Sequence, residues 1–173
     1  SEKSQSILRN TSYIGTANWS MFMYDISYRG MSPDKELKPP LSVAWKYKTG
    51  GPVDSSPVIA DGTLYVGSDD NRLYALNANE WGQKWDFDSG DRISYSPTVY
   101  KGMVYFSTRG NKVFALDAQT GNKKWEFQSD GWINAPVVAY GDRIYFGAYN
   151  NKIYVLDAIT GKKVGESRSR IDI

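Results

Sequence analysis

A hexapeptide pattern that recurs every 40 residues constrains this chain more than any other feature of its sequence. Residues 73–78 (LYALNA) return as 113–118 (VFALDA) and again as 153–158 (IYVLDA). A tryptophan keeps the same interval, at positions 45, 85 and 125. Self-similarity at a fixed period of this size is the signature of a repeat architecture, in which each unit is one supersecondary element. The chain is therefore predicted to fold largely as consecutive copies of one unit.

Each unit contains four short segments that are apolar or alternate between apolar and polar residues. In the middle unit they cover residues 93–100, 103–108, 112–117 and 124–128, which we assign as strands A to D. The A-to-B breaks hold dipeptides suited to two-residue hairpin turns: DG at 61–62, KG at 101–102 and GD at 141–142. Between C and D, glycine in two units lets the chain reverse without a Cβ clash. Each unit is therefore predicted to be an antiparallel four-stranded meander.

A single meander has two faces to cover, so it gains stability by stacking on neighbouring copies. The radial solution is the β-propeller, which we predict here as an all-β fold with three four-stranded antiparallel blades. A linear solenoid is less favoured, because no helical period is visible. Rings typically hold about four to eight blades. Three units therefore predict a partial propeller, either part of a longer ring or completed by other chains.

The sequence divides into three regions. Residues 1–40 have no repeat counterpart and form a leader and linker, with Trp19 and Phe22 expected as anchors and residues 1–12 expected to fray. Residues 41–166 hold the three blades, and residues 167–173 a polar tail. The segment 45–48 precedes any A, B or C strand, so we predict that it is a D strand that would close a ring. The D strand of the third unit looks weak.

Composition removes several classes of function. The 21 Lys and Arg against 19 Asp and Glu give a net charge of +2, too small to indicate nucleic acid or a membrane surface as partner. The chain has no Cys and no His, which excludes thiolate chemistry and the commonest general base. No run of 18 apolar residues is present, so no membrane span is predicted. We therefore expect no catalytic residues.

The C-to-D region resembles a known family. Residues 115–125 (ALDAQTGNKKW) match the repeat of pyrroloquinoline-quinone-type propellers, and the resemblance extends over about residues 41 to 165. It is similar to the WD-repeat family to a lesser degree. In the family resembled, the repeated Trp docks on the turn of the next blade, which implies that Trp45, Trp85 and Trp125 are structural anchors. The resemblance also implies an extracytoplasmic protein, in the periplasm or at the cell surface.

A binding site is expected on one rim of the meanders. Strand order puts the D-to-A and B-to-C connections together, and these loops vary between units while the opposite turns do not. Variable loops on a constant scaffold usually carry binding. The candidates are Asp54, Asp69, Asp70, Arg92, Tyr95, Arg109, Trp132, Asn134 and Tyr149. Trp132 is the strongest, although it could equally wedge between blades. Asp69 and Asp70 resemble a fragment of a calcium loop, but a turn is favoured, so no metal site is predicted.

Two functions of different class remain open. The favoured one is a non-catalytic propeller scaffold that binds a protein partner, similar to the propeller lipoprotein of outer-membrane barrel-assembly machineries, with no cofactor. The alternative is part of a quinoprotein dehydrogenase that binds pyrroloquinoline quinone (PQQ) and calcium, although the vicinal disulfide common in such enzymes requires Cys. An extracytoplasmic sensor domain would look the same at this level.

Overall fold

The computed structural model describes residues 43–168, which form twelve β-strands. The strands are β1 (Val58–Ala60), β2 (Thr63–Gly67), β3 (Arg72–Asn77), β4 (Gln83–Asp88), β5 (Thr98–Tyr100), β6 (Met103–Ser107), β7 (Lys112–Asp117), β8 (Lys123–Gln128), β9 (Val138–Tyr140), β10 (Arg143–Ala148), β11 (Lys152–Asp157) and β12 (Lys163–Arg168). They build three four-stranded sheets, β1–β4, β5–β8 and β9–β12. Within residues 43–168 there is no helix that could span a bilayer.

Each sheet is an antiparallel meander with its strands in chain order. The pairing repeats with the sequence: Tyr65 faces Ala75, Tyr105 faces Ala115, and Tyr145 faces Val155. The ladder between the third and fourth strands shifts register at the same place in every sheet, after Ala75, Ala115 and Val155. The predicted all-β meander is therefore confirmed.

The tight turns between first and second strands follow from the residues that occupy them. Asp61 and Gly62 have φ of 48° and 68°, and Lys101 and Gly102 have φ of 49° and 72°. Two positive φ values in succession define the type I′ hairpin, whose twist matches that of the flanking strands. These turns fix the registers of β1 with β2 and of β5 with β6.

Alternate residues of the strands face the two neighbouring sheets. Between the first and second sheets the buried cluster includes Tyr65, Leu73 and Ala75 on one side and Val104, Phe106, Phe114 and Leu116 on the other. The cluster between the second and third sheets holds Tyr105, Val113, Ala115 and Trp125 against Ile144, Phe146, Tyr154 and Leu156. A side chain at this position is buried only where a neighbouring sheet packs over it. Leu73 and Val113 are 0% exposed, whereas their counterpart Ile153, on the face of the third sheet turned away from the second, is 48% exposed.

The sheets fan out from their first strands. Between neighbouring sheets the backbones approach most closely at β1 with β5 and at β5 with β9. The Thr98 hydroxyl strengthens the second of these junctions by donating a 2.7 Å hydrogen bond to the Val137 carbonyl. Sheets that converge at their first strands and diverge at their fourth are the blades of a propeller. The predicted partial propeller is therefore confirmed for residues 43–168.

Tryptophans on the fourth strands connect each sheet to the next. Trp85 Nε1 donates to the Ala118 carbonyl at 3.1 Å, and Trp125 Nε1 donates to the Ala158 carbonyl at 2.9 Å. Each indole lies over a glycine of the next sheet's turn, Gly121 or Gly161, where an added Cβ would come within 2.7 Å or 2.6 Å of the ring. Both glycines have positive φ, so the turn needs glycine for its backbone and for this close approach.

Trp45 occupies the corresponding place before the first sheet, but its surroundings differ. At the glycine position of that turn stands Trp81, with φ of 62°, and the two indole centroids are 5.8 Å apart. Tyr47 packs edge-on against Tyr74 at 5.6 Å. Trp45 and Tyr47 thus cover the first sheet with rings, where the other sheets are covered by a whole strand surface.

Three local expectations differ from the structure. Residues 45–48 belong to no ladder within 43–168, although their burial alternates as in a strand. The first strand of the middle unit spans only Thr98–Tyr100, because Ile93 donates its N–H to Ser68 of the preceding sheet and Pro97 has no N–H to give. The last strand, β12, is not weak: it has six residues and pairs with β11 from Lys163 to Arg168.

The expectations for the leader, including Trp19, Phe22 and residues 1–12, and for most of the 167–173 tail, lie outside the described residues.

Candidate functional site

The loops that join consecutive sheets and the loops between second and third strands form one continuous rim. In each sheet the second-to-third loop donates an N–H to the preceding inter-sheet loop at 2.8 Å: Asp69 to Pro52, Arg109 to Arg92, and Tyr149 to Trp132. Ile93 and Ile133 then donate N–H groups to the neighbouring sheet, at Ser68 and Gly110. We call this band, residues 49–57, 68–71, 89–97, 108–111, 129–137 and 149–151, the rim.

On the rim, the seam between the first and second sheets is filled by a carboxylate of the protein itself, that of Asp69. Asp69 Oδ1 accepts a 2.7 Å hydrogen bond from the Ser94 hydroxyl, and Asp69 Oδ2 lies 3.8 Å from Arg92 Nη1. The Asp69 side chain is largely buried, whereas that of Arg92 is exposed. The three side chains therefore satisfy one another within the protein, and two of them, Asp69 and Arg92, are residues proposed from the sequence.

The seam between the second and third sheets instead opens into a groove of about 440 Å³. Its lining is mostly aromatic or polar: Asp91, Tyr95, Arg109, Gly110, Trp132, Ile133, Asn134 and Tyr149. Trp132 is 71% exposed and Tyr149 is 70% exposed, and a backbone hydrogen bond joins the loops that carry them. This groove, called the rim groove below, brings together five of the nine residues proposed from the sequence.

Arg109 differs from the other arginines whose side chains the structure describes. Arg72 pairs with Asp86, Arg92 with Asp69, and Arg143 with Asp157. Within residues 43–167, Arg109 forms no ion pair or side-chain hydrogen bond, although its guanidinium is exposed in the groove. The groove therefore carries a cation that the described chain does not neutralise by contact.

The remaining sequence candidates lie elsewhere on the rim. Asp54 is exposed and does not line the groove. Asp70 has a structural role, because its carboxylate accepts hydrogen bonds from Gly50 N–H at 2.6 Å, Arg72 N–H at 3.1 Å and the Tyr74 hydroxyl at 2.7 Å. The turn interpretation of Asp70 agrees with these contacts.

The electrostatics of Asp70 and Tyr74 follow from that arrangement. Partial burial by itself would raise the pKa of the Asp70 carboxyl, but the hydrogen bonds it accepts outweigh burial and leave that pKa below its ordinary value. Burial, followed by the hydrogen bond to the Asp70 carboxylate, raises the pKa of Tyr74 to about 12. Both groups therefore stabilise the first sheet at neutral pH, with Asp70 ionised and Tyr74 protonated.

Sequence reasoning missed three groove residues: Asp91, Gly110 and Ile133. The Asp91 carboxylate accepts hydrogen bonds from Gly110 N–H at 2.7 Å and Arg92 N–H at 2.8 Å. An added Cβ on Gly110 would lie 2.5 Å from Asp91 Oδ2, so a side chain at position 110 would displace the Asp91 carboxylate. Asp and Gly are ordinary turn residues, so only their three-dimensional contact marks them. Ile133, although buried, forms part of the wall.

The acidic side chains of residues 43–168 are dispersed and do not gather at one site. Within residues 43–168 no three acidic side chains stand close enough together to hold a metal ion. Asp69 and Asp70 point into different networks, one to Ser94 and Arg92 and the other to Tyr74 and the Gly50 N–H. Asp69 and Asp70 therefore do not share one site, although they are adjacent in the sequence.

Comparison with known proteins identifies a family. A family model described as outer membrane protein assembly factor BamB matches residues 15–170. No curated protein is significantly similar to the chain in sequence.

Solved structures with the same fold include a europium-containing methanol dehydrogenase, with a TM-score of 0.79 and 20% identity over 88% of this chain and 32% of that one. BamB from Moraxella catarrhalis has a TM-score of 0.65 and 22% identity, over 73% of this chain and 40% of its own. Quinohemoprotein alcohol dehydrogenase from Comamonas testosteroni has a TM-score of 0.78 and 21% identity, over 89% and 27%. The chain thus spans well under half of each, and at these identities the likeness shows the fold alone.

Proposed function

This chain belongs to the propeller family described as outer membrane protein assembly factor BamB, and from that premise we propose that it is a non-catalytic scaffold that binds a protein partner through the rim groove. The PQQ-type repeat identified in the sequence is confirmed by the same match and by the dehydrogenases and BamB that share the fold. Scaffolding is proposed because a propeller presents fixed sheets and variable loops, and binding is usually placed on such loops.

One observation supports this function most strongly: two large aromatic side chains, Trp132 and Tyr149, are exposed to solvent on variable loops that line the same groove. Exposing such rings is unfavourable in a free protein, since burial of each aromatic side chain removes about 150–250 Å² of surface from water. Tryptophan, tyrosine and arginine are also the residues that dominate binding energy at protein interfaces. The rim groove holds all three types, with Arg109 beside the rings.

An extracytoplasmic location accompanies this proposal. The matching family is described as acting in outer-membrane protein assembly, which takes place outside the cytoplasm. The absence of Cys from the sequence neither requires nor opposes an oxidising compartment. We therefore propose that the partner is also an extracytoplasmic protein.

The dehydrogenase alternative fits the described residues less well. Such enzymes share the fold at 20–22% identity, which carries no activity across. A PQQ site of that type needs a calcium or lanthanide ligand set, and residues 43–168 bring no three carboxylates together. A vicinal disulfide under the quinone would require cysteines, and the sequence has none. No step of a redox reaction is assigned to this chain.

The proposal is tested by placing a photo-cross-linking amino acid at Trp132 in the native host and identifying the captured proteins. Ile159 is the matched control, because it is 76% exposed and apolar but lies on the opposite rim, in the turn between β11 and β12. We expect one extracytoplasmic protein to cross-link from position 132 and not from position 159.

Equal capture from both positions, or none from position 132, would contradict binding at the rim groove. A separate measurement addresses the alternative: PQQ with calcium is added to the purified protein and thermal unfolding is followed. A rise in Tm of several degrees would favour the dehydrogenase, because a ligand that binds only the native state stabilises it by mass action.

A further inference from the structure

We propose that the rim groove recognises an acidic segment of the partner protein, in which one carboxylate binds Arg109 and Asn134 while a neighbouring apolar side chain packs on Trp132 and Tyr149. This inference rests on the proposed function and gives it a ligand chemistry. The seam between the first and second sheets, called the first seam, and the seam between the second and third sheets, called the second seam, are related by the 40-residue repeat. The two seams hold different groups at corresponding positions.

The first seam shows which group the rim geometry accommodates. There a carboxylate, Asp69, takes a hydrogen bond from Ser94 at 2.7 Å and lies 3.8 Å from the Arg92 guanidinium. One carboxylate thus accepts a hydrogen bond from Ser94 and forms a longer ion pair with Arg92, both in the next inter-sheet loop. Hydrogen bonds to an ionised acceptor are the stronger class of hydrogen bond.

In the second seam the same three positions hold donors without a carboxylate. Forty residues on from Asp69, Ser94 and Arg92 stand Arg109, Asn134 and Trp132. None of these three side chains has a hydrogen-bond partner among residues 43–168. The second seam therefore has the Arg109 guanidinium where the first seam has the Asp69 carboxylate. An acceptor for its donors must come from water or from another molecule.

The groove's own carboxylate does not fill that role. Asp91 forms no ion pair with Arg109, and both of its oxygens are already engaged by backbone N–H groups, of Gly110 and Arg92. Its place is structural: it fixes the loop that carries Arg109. Arg109, Asn134 and Trp132 thus carry donors that form no hydrogen bond with Asp91, and the unpaired guanidinium among them favours an anionic ligand.

A buried hydroxyl on the loop that carries Arg109 also lacks a partner. In the first sheet, Ser68 donates to the carbonyls of Gly51 and Pro52 in the loop before that sheet, at 3.3 Å and 3.1 Å. Its counterpart Thr108 is fully buried, and its Oγ1 has no hydrogen-bond partner in the described structure. The loop that carries Arg109 is therefore less satisfied internally than the corresponding loop of the first sheet.

The aromatic half of the groove selects what accompanies the carboxylate. Trp132 and Tyr149 offer exposed ring surface next to Arg109, and rings gain from contact with aliphatic or aromatic side chains. A short extended segment that places Asp or Glu beside Phe or Leu presents both groups at once. A protein segment fits this combination better than a bare anion, which would leave the rings in water.

The test uses capped synthetic heptapeptides and fluorotryptophan-labelled protein followed by fluorine NMR, with the Trp132 signal assigned from Trp132→Phe. The first peptide places Asp between Phe and Leu, the second replaces Asp by Asn, and the third keeps Asp but replaces Phe and Leu by Ser. We expect the first peptide to shift the Trp132 signal with a Kd at least about tenfold lower than either of the others, which corresponds to about 1.4 kcal/mol, since hydrogen bonds to charged groups are stronger than those between neutral groups.

Arg109→Gln should abolish the preference for Asp over Asn, whereas Arg143→Gln should leave it intact, because Arg143 pairs with Asp157 in the third sheet away from the groove. Arg109→Glu should transfer the preference to a peptide with Lys in place of Asp. The Arg109 variants change an exposed side chain, so their thermal unfolding is expected to remain that of the wild type.

Equal binding of the Asp and Asn peptides, insensitivity to Arg109→Gln, or no Trp132 shift at millimolar peptide would overturn the inference. Galacturonate serves as an anionic-sugar probe, and stronger binding of galacturonate than of the first peptide would also overturn it by making the occupant a glycan. Cross-linking from position 132 to a protein would still hold in the first three cases. Failure of the acidic-segment inference is thereby distinguishable from failure of the scaffold function.

Discussion

Replacing Gly121 by alanine is expected to destabilise the protein by about 2–5 kcal/mol, because one Cβ meets two separate obstacles. Gly121 has φ of 73°, and a residue with a Cβ costs roughly 1–2 kcal/mol in that left-handed region. The new Cβ would also lie 2.7 Å from Cδ2 of Trp85, so the indole or the turn must move. Overpacking of this kind costs about 1–3 kcal/mol.

Gly102→Ala is the matched control for this prediction. Gly102 has φ of 72°, but no atom lies within 4 Å of the position its Cβ would take. It should therefore show the backbone penalty of roughly 1–2 kcal/mol and nothing more. Urea unfolding at neutral pH gives both free energies of unfolding, and the difference between them measures the contact with Trp85.

A double mutant completes the test. In a Trp85→Ala background the ring is gone, so Gly121→Ala should cost no more than Gly102→Ala does. The coupling between positions 85 and 121 is expected to be about 1–3 kcal/mol. Equal losses for Gly121→Ala and Gly102→Ala in the unmodified protein, or strict additivity with Trp85→Ala, would refute the docking of tryptophan on the turn of the next sheet.

Trp125→Ala should lower the free energy of unfolding in urea by about 3–5 kcal/mol. Trp125→Phe should lower it by about 1 kcal/mol or more, since it removes the 2.9 Å hydrogen bond to the Ala158 carbonyl. An unchanged urea midpoint for Trp125→Ala would be incompatible with this packing. Ile93→Ala should lower the free energy of unfolding by about 2–5 kcal/mol, because Ile93 is fully buried over the first sheet. Val53→Ala, at the exposed counterpart position, should change it by at most about 0.5 kcal/mol. Similar losses for both variants would argue against the burial of Ile93. The pKa of Asp117 is lowered chiefly by the Thr120 N–H and next by Lys124, so its stabilisation is present above the unfolded pKa of about 4 and is lost as pH falls through the lower folded pKa. Asp117→Asn should therefore lower Tm at pH 7 and reduce the drop in Tm on acidification, and an unaltered drop would count against this carboxylate.

The repeat made most of the fold predictable. A 40-residue period with turn dipeptides at fixed places leaves one local solution for each unit, since a tight turn ending in glycine, as at Asp61-Gly62 and Lys101-Gly102, reverses the chain between two strands at the same point of each repeat. The errors fell where partners from another sheet decide the backbone. Ile93 was expected to lie in a strand, but its N–H is taken by the preceding sheet.

The candidate site was predictable only in part. Strand order alone placed the varying loops on one rim, and Tyr95, Arg109, Trp132, Asn134 and Tyr149 do meet in one groove. The sequence did not distinguish them from Asp69, Asp70 and Arg92, which are equally polar loop residues. That distinction depends on contacts between residues 20 to 40 positions apart, such as Ser94 with Asp69.

The amino-acid sequence by itself determined the unit: its length, its four strands, its turns and the tryptophan at positions 45, 85 and 125. These are local properties, set by backbone preference and alternation over a few residues. The tertiary structure alone decided which seam is satisfied internally and which is open. An ion pair or a groove exists only when loops of two sheets are brought together, and the same rim positions hold Asp69 with Arg92 in one seam and Arg109 with Trp132 in the other.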